Sequence, residues 1–205
     1  ETSGQKLVKN LIGRDVPVVA DPTILANRRI WDDLKGDRLI KKDYIMCYFL
    51  GNNPNHRKLA EELSKKTGLP IVTLPHGDEI VKADFGFGEI KPQGVGPAEF
   101  VNLISNAKYV CTDSFHGTVF SILYKRQFMV FNRYTADVNG KSSTNSRLSS
   151  LLNLLGLEKR LYDSNKGLKQ DMFDLINFET ARKNIKELRE QSLAYLKNAL
   201  SDSRI

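Results

Sequence analysis

Residues 44–54 read YIMCYFLGNNP, a continuous apolar run of strand length that ends in turn-forming residues. A strand that is apolar on both faces is typical of a parallel sheet covered by helices on both sides. The next segment, His56–Thr67, has apolar residues at helical spacing, and Gly68 is of a type that ends helices. Ile71–Leu74 then resumes as a strand. Residues 44–74 therefore predict one strand–helix–strand unit.

The same alternation extends in both directions from this unit. Upstream, Val16–Ala20 predicts a strand, which Asp21-Pro22-Thr23 ends. Pro22 also disfavours helix at Asp21. Downstream, the predicted elements are a helix from Pro97, a strand at Ala107–Cys111, a helix at Phe115–Leu123, a strand at Phe128–Phe131, a helix at Ser146–Leu155 and a long helix at Glu179–Leu200. Residues 75–94 and 132–145 predict loops. This order indicates an α/β fold with a Rossmann-like parallel sheet flanked by helices, which binds ligands at the carboxyl ends of its strands.

Composition narrows the class of protein. The chain has 205 residues, of which 40% are apolar, enough for one sizeable core. No run approaches the roughly 18 apolar residues of a spanning helix, so we expect a soluble domain. Because the chain lacks an initial Met and a helix-like pattern starts at once, we expect it to begin inside a longer protein. Cys47 and Cys111 lie in predicted buried strands, which favours free thiols in a reducing compartment over a disulfide or a zinc site.

Charge gives a weaker indication of partners. Lysine and arginine number 31 against 24 acidic residues, which leaves a net charge of +7. Such a balance fits nucleic acid, an anionic membrane face or a phosphorylated substrate. The basic residues form scattered pairs, not one stripe with interleaved aromatic residues, so nucleic-acid binding ranks last.

The segment 112–118, TDSFHGT, carries the sharpest local signal for function. It lies where a predicted strand ends and a helix begins, so free N–H groups and the positive end of the helix dipole face the edge of the sheet. Hydroxyls, a glycine and His116 at that place suit an anion site with a group for proton transfer. A structural interpretation fits equally well: Asp113 or Ser114 caps the helix, and His116 is an ordinary histidine. Gly96 likewise lets the backbone approach a ligand or only makes the turn before Pro97.

Several segments together resemble the polysaccharide pyruvyl transferase family. In chain order they are Asp21-Pro22-Thr23 with Trp31, Gly96–Phe100, Asn106–Val110, Thr112–Thr118, Phe131–Arg133, and Asn145–Leu148 with Leu155–Leu157. The resemblance implies one half of a GT-B fold, in which two Rossmann-like halves face a cleft and the C-terminal half binds the donor. It assigns residues 1–40 to the end of a missing N-terminal half and the crossover, 41–165 to the donor-binding domain, and 166–205 to a C-terminal helical tail.

The resemblance also implies a reaction in bacterial polysaccharide or exopolysaccharide biosynthesis. A pyruvyl group passes from phosphoenolpyruvate to sugar hydroxyls of a polysaccharide or its lipid-linked precursor, usually as a cyclic ketal, and phosphate is released. This chemistry requires groups that hold two anions, an acid for the enol carbon or the phosphate, and a base for the sugar hydroxyl. We therefore expect phosphoenolpyruvate and a saccharide or lipid-linked oligosaccharide as partners, with no cofactor, metal or nucleic acid. The expected location is the cytoplasm, including the inner membrane face.

The family motif assigns the acid or base role to His116. Ser114, Gly117 and Thr118 are then predicted to line the anion site, with Gly96 as a further substrate-binding residue.

Three cations are candidates for binding the donor. Arg133 follows the strand Phe128–Phe131, and its planar fork suits phosphate or carboxylate. Lys141 and Arg147 are predicted to share that work, although surface charge or helix-end pairing explains each equally well. Some family members place a lysine after an Asp-Pro pair downstream of this strand, whereas residues 133–137 here read RYTAD, so the cation assignment is open.

The remaining polar candidates are assigned to structure. Asp21 is expected to turn the chain and Trp31 to pack across the junction between the halves. Glu99 complements the helix dipole, with a role as a second carboxylate in the cleft left open. His56 and His76 are predicted to be ordinary surface or loop residues.

Two other functions remain open at this point. One is a glycosyltransferase of the same shape that uses a nucleotide sugar, because a fold does not determine its donor. The other is a non-catalytic module that binds anionic glycans or a partner enzyme.

Overall fold

The computed structural model describes residues 2–77, 80–134 and 143–202. The strands are β1 (Ile45–Tyr48), β2 (Ile71–Thr73), β3 (Tyr109–Thr112), β4 (Gln127–Phe131) and β5 (Leu161–Tyr162). The helices are α1 (Thr2–Ile12), α2 (Pro22–Leu25), α3 (Arg28–Lys35), α4 (Pro54–Thr67), α5 (Pro97–Asn106), α6 (Phe115–Leu123), α7 (Ser143–Leu155) and α8 (Glu179–Asp202).

The described strands form one parallel sheet in the order β2-β1-β3-β4-β5. Ile45 of β1 aligns with Ile71 of β2 on one side and with Tyr109 of β3 on the other. The predicted α/β fold, with a Rossmann-like parallel sheet and a long C-terminal helix, is confirmed. All five strands point the same way, so their carboxyl ends meet along one edge of the sheet.

Each face of the sheet has its own core, because neighbouring residues of a strand point to opposite faces. Met46 of β1 and Val110 of β3 pack in a core with helices α5, α6 and α7. Ile45 and Cys47 pack on the other face with α4. Cys111 lies opposite Cys47 in register, and both thiols are buried and free, as predicted. The strands are thus covered on both faces, which explains why the sequence 44–50 is apolar throughout.

Local end signals place the helices where the sequence predicts them. Gly68 ends α4 in the left-handed conformation, with φ of +70°. Pro97 is the first residue of α5, and the backbone N–H of Gly96 donates to the Glu99 carboxylate at 2.9 Å. Glu99 therefore stabilises the start of its own helix.

The predicted strand at Val16–Ala20 is wrong. This segment forms no strand and pairs with none of the described strands. The backbone N–H of Ala20 instead donates to the Ser192 hydroxyl of α8 at 2.9 Å, and the Gln5 side chain donates to the Val16 carbonyl at 2.6 Å. Ala20 packs in the larger core, and the segment is held by helices instead of a neighbouring strand, so the local strand pattern misleads.

Helix α8 packs back onto the rest of the chain. Its Ala181 is buried with α7 in the larger core, and the Arg189 guanidinium donates to the Leu25 carbonyl of α2 at 3.0 Å. The division into segments 1–40, 41–165 and 166–205 stays a prediction. None of the helices in the described part of the chain combines the length and apolar composition that crossing a bilayer requires.

Candidate functional site

A cleft of about 980 Å³ opens at the carboxyl ends of β1, β2 and β3. Its walls come from the loops that follow these strands, the N-terminal end of α5, the first turns of α6, and the α2–α3 segment. The lining includes Thr23, Trp31, Tyr48, Leu50, His76, Gly96, Phe100, Ser114, His116 and Phe120. This is the edge where parallel α/β sheets bind their ligands.

The motif histidine faces this cleft from the first turn of α6. Ser114 is the N-cap residue, and its hydroxyl accepts a hydrogen bond from the Gly117 N–H at 3.3 Å. His116 is the second helical residue, and 51% of its side chain is exposed. Within the described residues, the backbone N–H groups of Phe115 and His116 have no acceptor. Ser114 therefore caps the helix, and His116 faces the cleft from the N-terminus of the same helix.

Asp21 lies beside this histidine, a position that the sequence did not predict. Its Oδ1 is 3.8 Å from the Nε2 atom of His116. The same oxygen accepts hydrogen bonds from the backbone and the hydroxyl of Thr23, at 2.9 and 2.5 Å, which fix the carboxylate. The separation is too long for a hydrogen bond, but such contacts tighten when a ligand binds. Asp21 thus keeps the expected turn role at the start of α2 and also lies close to His116.

The structure corrects the predicted roles of two motif residues. Gly117 and Thr118 are buried and do not line the cleft. A Cβ on Gly117 would come 2.6 Å from Thr112 Oγ1, so the glycine allows α6 to pack close to β3. The Thr118 hydroxyl donates to the Ser114 carbonyl at 2.9 Å. Ser114 does line the cleft, and its role in binding stays a prediction.

The predicted cations do not reach the cleft in the described part of the chain. Arg133 lies next to Asp113, and its Nη2 donates to the Asp113 carbonyl at 3.4 Å. The guanidinium of Arg147 stacks over the Phe115 ring at 4.6 Å, in a smaller cavity of about 380 Å³. Lys141 lies outside the described residues. Neither Arg133 nor Arg147 lines the cleft beside His116, and their role in binding the donor stays a prediction.

Asp113 connects the end of β3 to the end of β1. It is fully buried, and its two carboxylate oxygens accept hydrogen bonds from the backbone N–H groups of Leu50 and Gly51, at 2.7 and 2.9 Å. Burial raises the pKa of Asp113, while these N–H groups and Arg133 act against the rise. Asp113 does not cap α6. It instead holds the loop that forms one wall of the cleft.

His56 is buried, so the prediction of a surface residue is wrong. Only 1% of it is exposed, and its ring stacks on Phe131 at 4.9 Å. Burial, with a smaller effect from Arg57, lowers the pKa of His56 to about 4. Its Nδ1 is 3.9 Å from Asp113 Oδ2, beyond hydrogen-bonding distance.

His76 lies in the loop after β2, as predicted, and also belongs to a polar network at the cleft. Its Nδ1 is 2.7 Å from Asp84 Oδ2. The other Asp84 oxygen accepts two hydrogen bonds from Arg57, at 2.9 and 2.7 Å. Burial lowers the pKa of His76, but the Asp84 hydrogen bond and the nearby Leu50 carbonyl outweigh it, so the pKa is raised. Burial acts to raise the pKa of Asp84, but the hydrogen bonds from His76 and Arg57 outweigh it, so the pKa is lowered.

Weak sequence signals existed for the residues that were missed. Asp21 belongs to an Asp-Pro-Thr segment that contributed to the family resemblance. His76 follows β2 directly, at the edge where ligand-binding residues collect. Across residues 2–77, 80–134 and 143–202, no three histidine, cysteine or acidic side chains converge as a metal site requires.

Comparison with known proteins gives a family but no detailed template. The structure is similar to that of the glycosyltransferase SnogD from Streptomyces nogalater, at 12% identity and a TM-score of 0.40. The match covers 87% of this chain and 44% of that one, so the chain spans less than half the length of that protein. No curated protein matches the sequence. The family model for polysaccharide pyruvyl transferase matches residues 1–134, more than half of the 205 residues, and the chain therefore belongs to the polysaccharide pyruvyl transferase family.

Proposed function

We propose that this chain binds phosphoenolpyruvate and transfers its pyruvyl group to hydroxyls of a polysaccharide or its precursor. Family membership supports a transferase that acts on polysaccharides. The observation that carries the finer proposal is the position of His116 in a cleft at the carboxyl ends of β1, β2 and β3, with Asp21 Oδ1 3.8 Å from its Nε2 atom.

The transfer needs one group that handles protons at the reacting carbon. A sugar oxygen attacks C2 of the enol, the methylene carbon takes up a proton to become a methyl group, and a second hydroxyl displaces phosphate to complete the ketal. His116 gives the proton to the methylene carbon and recovers one from an attacking hydroxyl, and the proton of the other hydroxyl leaves with phosphate. Asp21, 3.8 Å from Nε2, orients that ring, as carboxylates do for catalytic histidines.

The start of α6 provides a place for one anion of the donor. The N–H groups of Phe115 and His116 lie at the positive end of the helix dipole, and the Ser114 hydroxyl lines the cleft beside them. Groups of this kind stabilise the charge that gathers on departing phosphate.

The rest of the site belongs to the proposed full-length enzyme. We place this chain as the donor-binding half of a GT-B arrangement, with a second half closing the cleft and contributing to acceptor binding. The acceptor is a saccharide or a lipid-linked oligosaccharide in the cytoplasm or at the inner membrane face.

Phosphate release from phosphoenolpyruvate, measured with a panel of saccharide acceptors, tests the proposal. We expect His116→Ala to lower the rate by roughly 100- to 10,000-fold, the usual contribution of a general acid or base. Asp21→Asn should cause a smaller loss, because the ring remains. Thermal unfolding of both variants serves as the control, and His116→Ala should unfold like the wild type since half of its side chain is exposed.

Calorimetry separates this proposal from the two alternatives. Phosphoenolpyruvate, a nucleotide sugar and a free nucleotide are titrated separately into the chain. Preference for the nucleotide ligands would indicate a glycosyltransferase. Unchanged function in His116→Ala would instead indicate a non-catalytic binding module.

A further inference from the structure

We propose that His76 is a second anion-binding group of the cleft, which holds the carboxylate or phosphate of the donor at the β2 end while α6 holds the other anion. The assignment of the donor rests on the proposed function. Three observations carry the role of His76: the charges available in the cleft, the way the ring is held, and its second nitrogen.

Positive charge is scarce in this cleft. No arginine or lysine is among its described lining residues, and His76 and His116 are the basic side chains there. Phosphoenolpyruvate carries two anionic groups, and anions in a partly enclosed site require cations or N–H donors. His116 lies at the start of α6, so the end of the cleft beyond β2 depends on His76.

The ring of His76 is held in one orientation by Asp84, which Arg57 holds in turn. Asp84 accepts from both its Nδ1 atom and its backbone N–H, at 2.7 and 3.2 Å. Arg57 binds the other oxygen of Asp84 and donates to the carbonyls of Gly51 and Asn53, at 2.9 and 3.1 Å. Arg57 is 3% exposed and the His76 side chain 8%. A preorganised ring of this kind binds a ligand at little cost in entropy.

The second nitrogen of the ring has no hydrogen bond of good geometry. Nε2 is buried and without a well-placed partner within the described residues, although the Leu50 carbonyl is close enough to raise the pKa of the ring. Buried polar atoms are nearly always paired, so an unpaired one needs an explanation. Leu50 and His76 both line the cleft. A donor anion that enters there would accept the Nε2 proton. If His76 only bound Asp84 and Arg57 for structural reasons, that proton would have no use.

Calorimetric titration of phosphoenolpyruvate and of inorganic phosphate tests this role. The proteins are the wild-type chain, His76→Gln and Lys91→Gln. Lys91 is an exposed cation at the edge of the adjoining cavity that His76 also lines, outside the cleft, so its loss controls for general charge. We expect His76→Gln to weaken binding roughly tenfold, the effect of one charge-assisted hydrogen bond, and Lys91→Gln to change it less than about twofold.

The pH dependence of binding distinguishes a ligand contact from a structural role. Among the described residues, the charged groups near His76 are Asp84, Arg57 and Lys91. Wild-type affinity should fall as the pH rises through the raised pKa of His76. His76→Gln should lose that pH dependence. Ring-nitrogen NMR of the wild type, which needs no variant, should show a shift of the His76 Nε2 signal on addition of phosphoenolpyruvate.

The outcomes separate this inference from the proposed function. Equal binding by the wild type and His76→Gln, with no Nε2 shift, would overturn the inference alone. Binding of phosphate that depends on His76, without binding of phosphoenolpyruvate, would overturn the donor assignment and keep the anion site. Failure of both anions to bind the wild-type chain would overturn both.

Discussion

Asp113 and Asp84 each lie near one histidine and one arginine, yet the pKa values of the two histidines are shifted in opposite directions. In the first region, the pKa of His56 is lowered to about 4. In the second region, the pKa of His76 is raised. The sequence offers no reason for the contrast, since both histidines were assigned the same role.

The cause lies in how the carboxylate oxygens are used. Both oxygens of Asp113 accept backbone N–H groups, and His56 is left at 3.9 Å with burial as the dominant effect. Asp84 keeps one oxygen for Arg57 and gives the other to His76 at 2.7 Å. A nearby carboxylate therefore does not by itself charge a histidine. A hydrogen bond to an available oxygen does.

The two regions also differ in what they serve. The Asp113 region is enclosed in the protein and fixes the loop after β1. The Asp84 region positions a side chain that lines the cleft. Burial without a partner thus marks the structural region, and burial with a charged partner marks the candidate binding region.

Removing the carboxylate of the second region should produce the largest effect. We expect Asp84→Ala to lower the free energy of unfolding by about 4 kcal/mol at pH 7, because Arg57 is left as an uncompensated buried cation. The melting temperature should fall by roughly 10 °C. Asp43→Ala is the control, since its pair with Arg38 is largely exposed and worth about 0–1 kcal/mol. Equal melting temperatures for the two variants would show that the Asp84 network contributes little.

Acid should destabilise the chain through His56. Its folded pKa is below the unfolded value of 6.5, so between pH 6.5 and about 4 the unfolded chain binds a proton that the folded chain does not. Stability falls as the pH falls through this window, by roughly 3 kcal/mol from this one group. His56→Phe keeps the stacked ring on Phe131 and should remove that part of the slope.

Urea unfolding of the wild type and His56→Phe at pH 7, 5.5 and 4 measures this difference. The carboxylates titrate in both proteins, so the comparison isolates the histidine. Parallel curves for the two proteins would contradict a buried neutral His56.

His76 should change the pH dependence of stability in the opposite direction to His56, and by a smaller amount. Its folded pKa is raised, so its contribution is fully present below the unfolded value of 6.5 and is lost as the pH rises through the folded pKa. We expect the wild type to exceed His76→Gln by about 1–2 kcal/mol near pH 6, the value of a hydrogen bond between charged groups, and by less near pH 9. A difference that does not depend on pH would show that His76 is uncharged.

The sequence by itself determined four of the strands and the position of the motif. Apolar runs of strand length predicted β1 to β4, and end signals such as Gly68 and Pro97 placed the helices. These features depend on the spacing of neighbouring residues, which is local information. For the same reason His116 was correctly placed at the start of a helix that follows a strand.

Only the tertiary structure decided which distant residues meet. Asp21 reaches His116, and Asp84 joins Arg57 to His76, although no local pattern relates these positions. Val16–Ala20 fails as a strand because pairing requires a partner edge, which the sequence pattern cannot supply. The charge of each histidine likewise depends on burial and on the oxygens within reach, and these are properties of the folded arrangement.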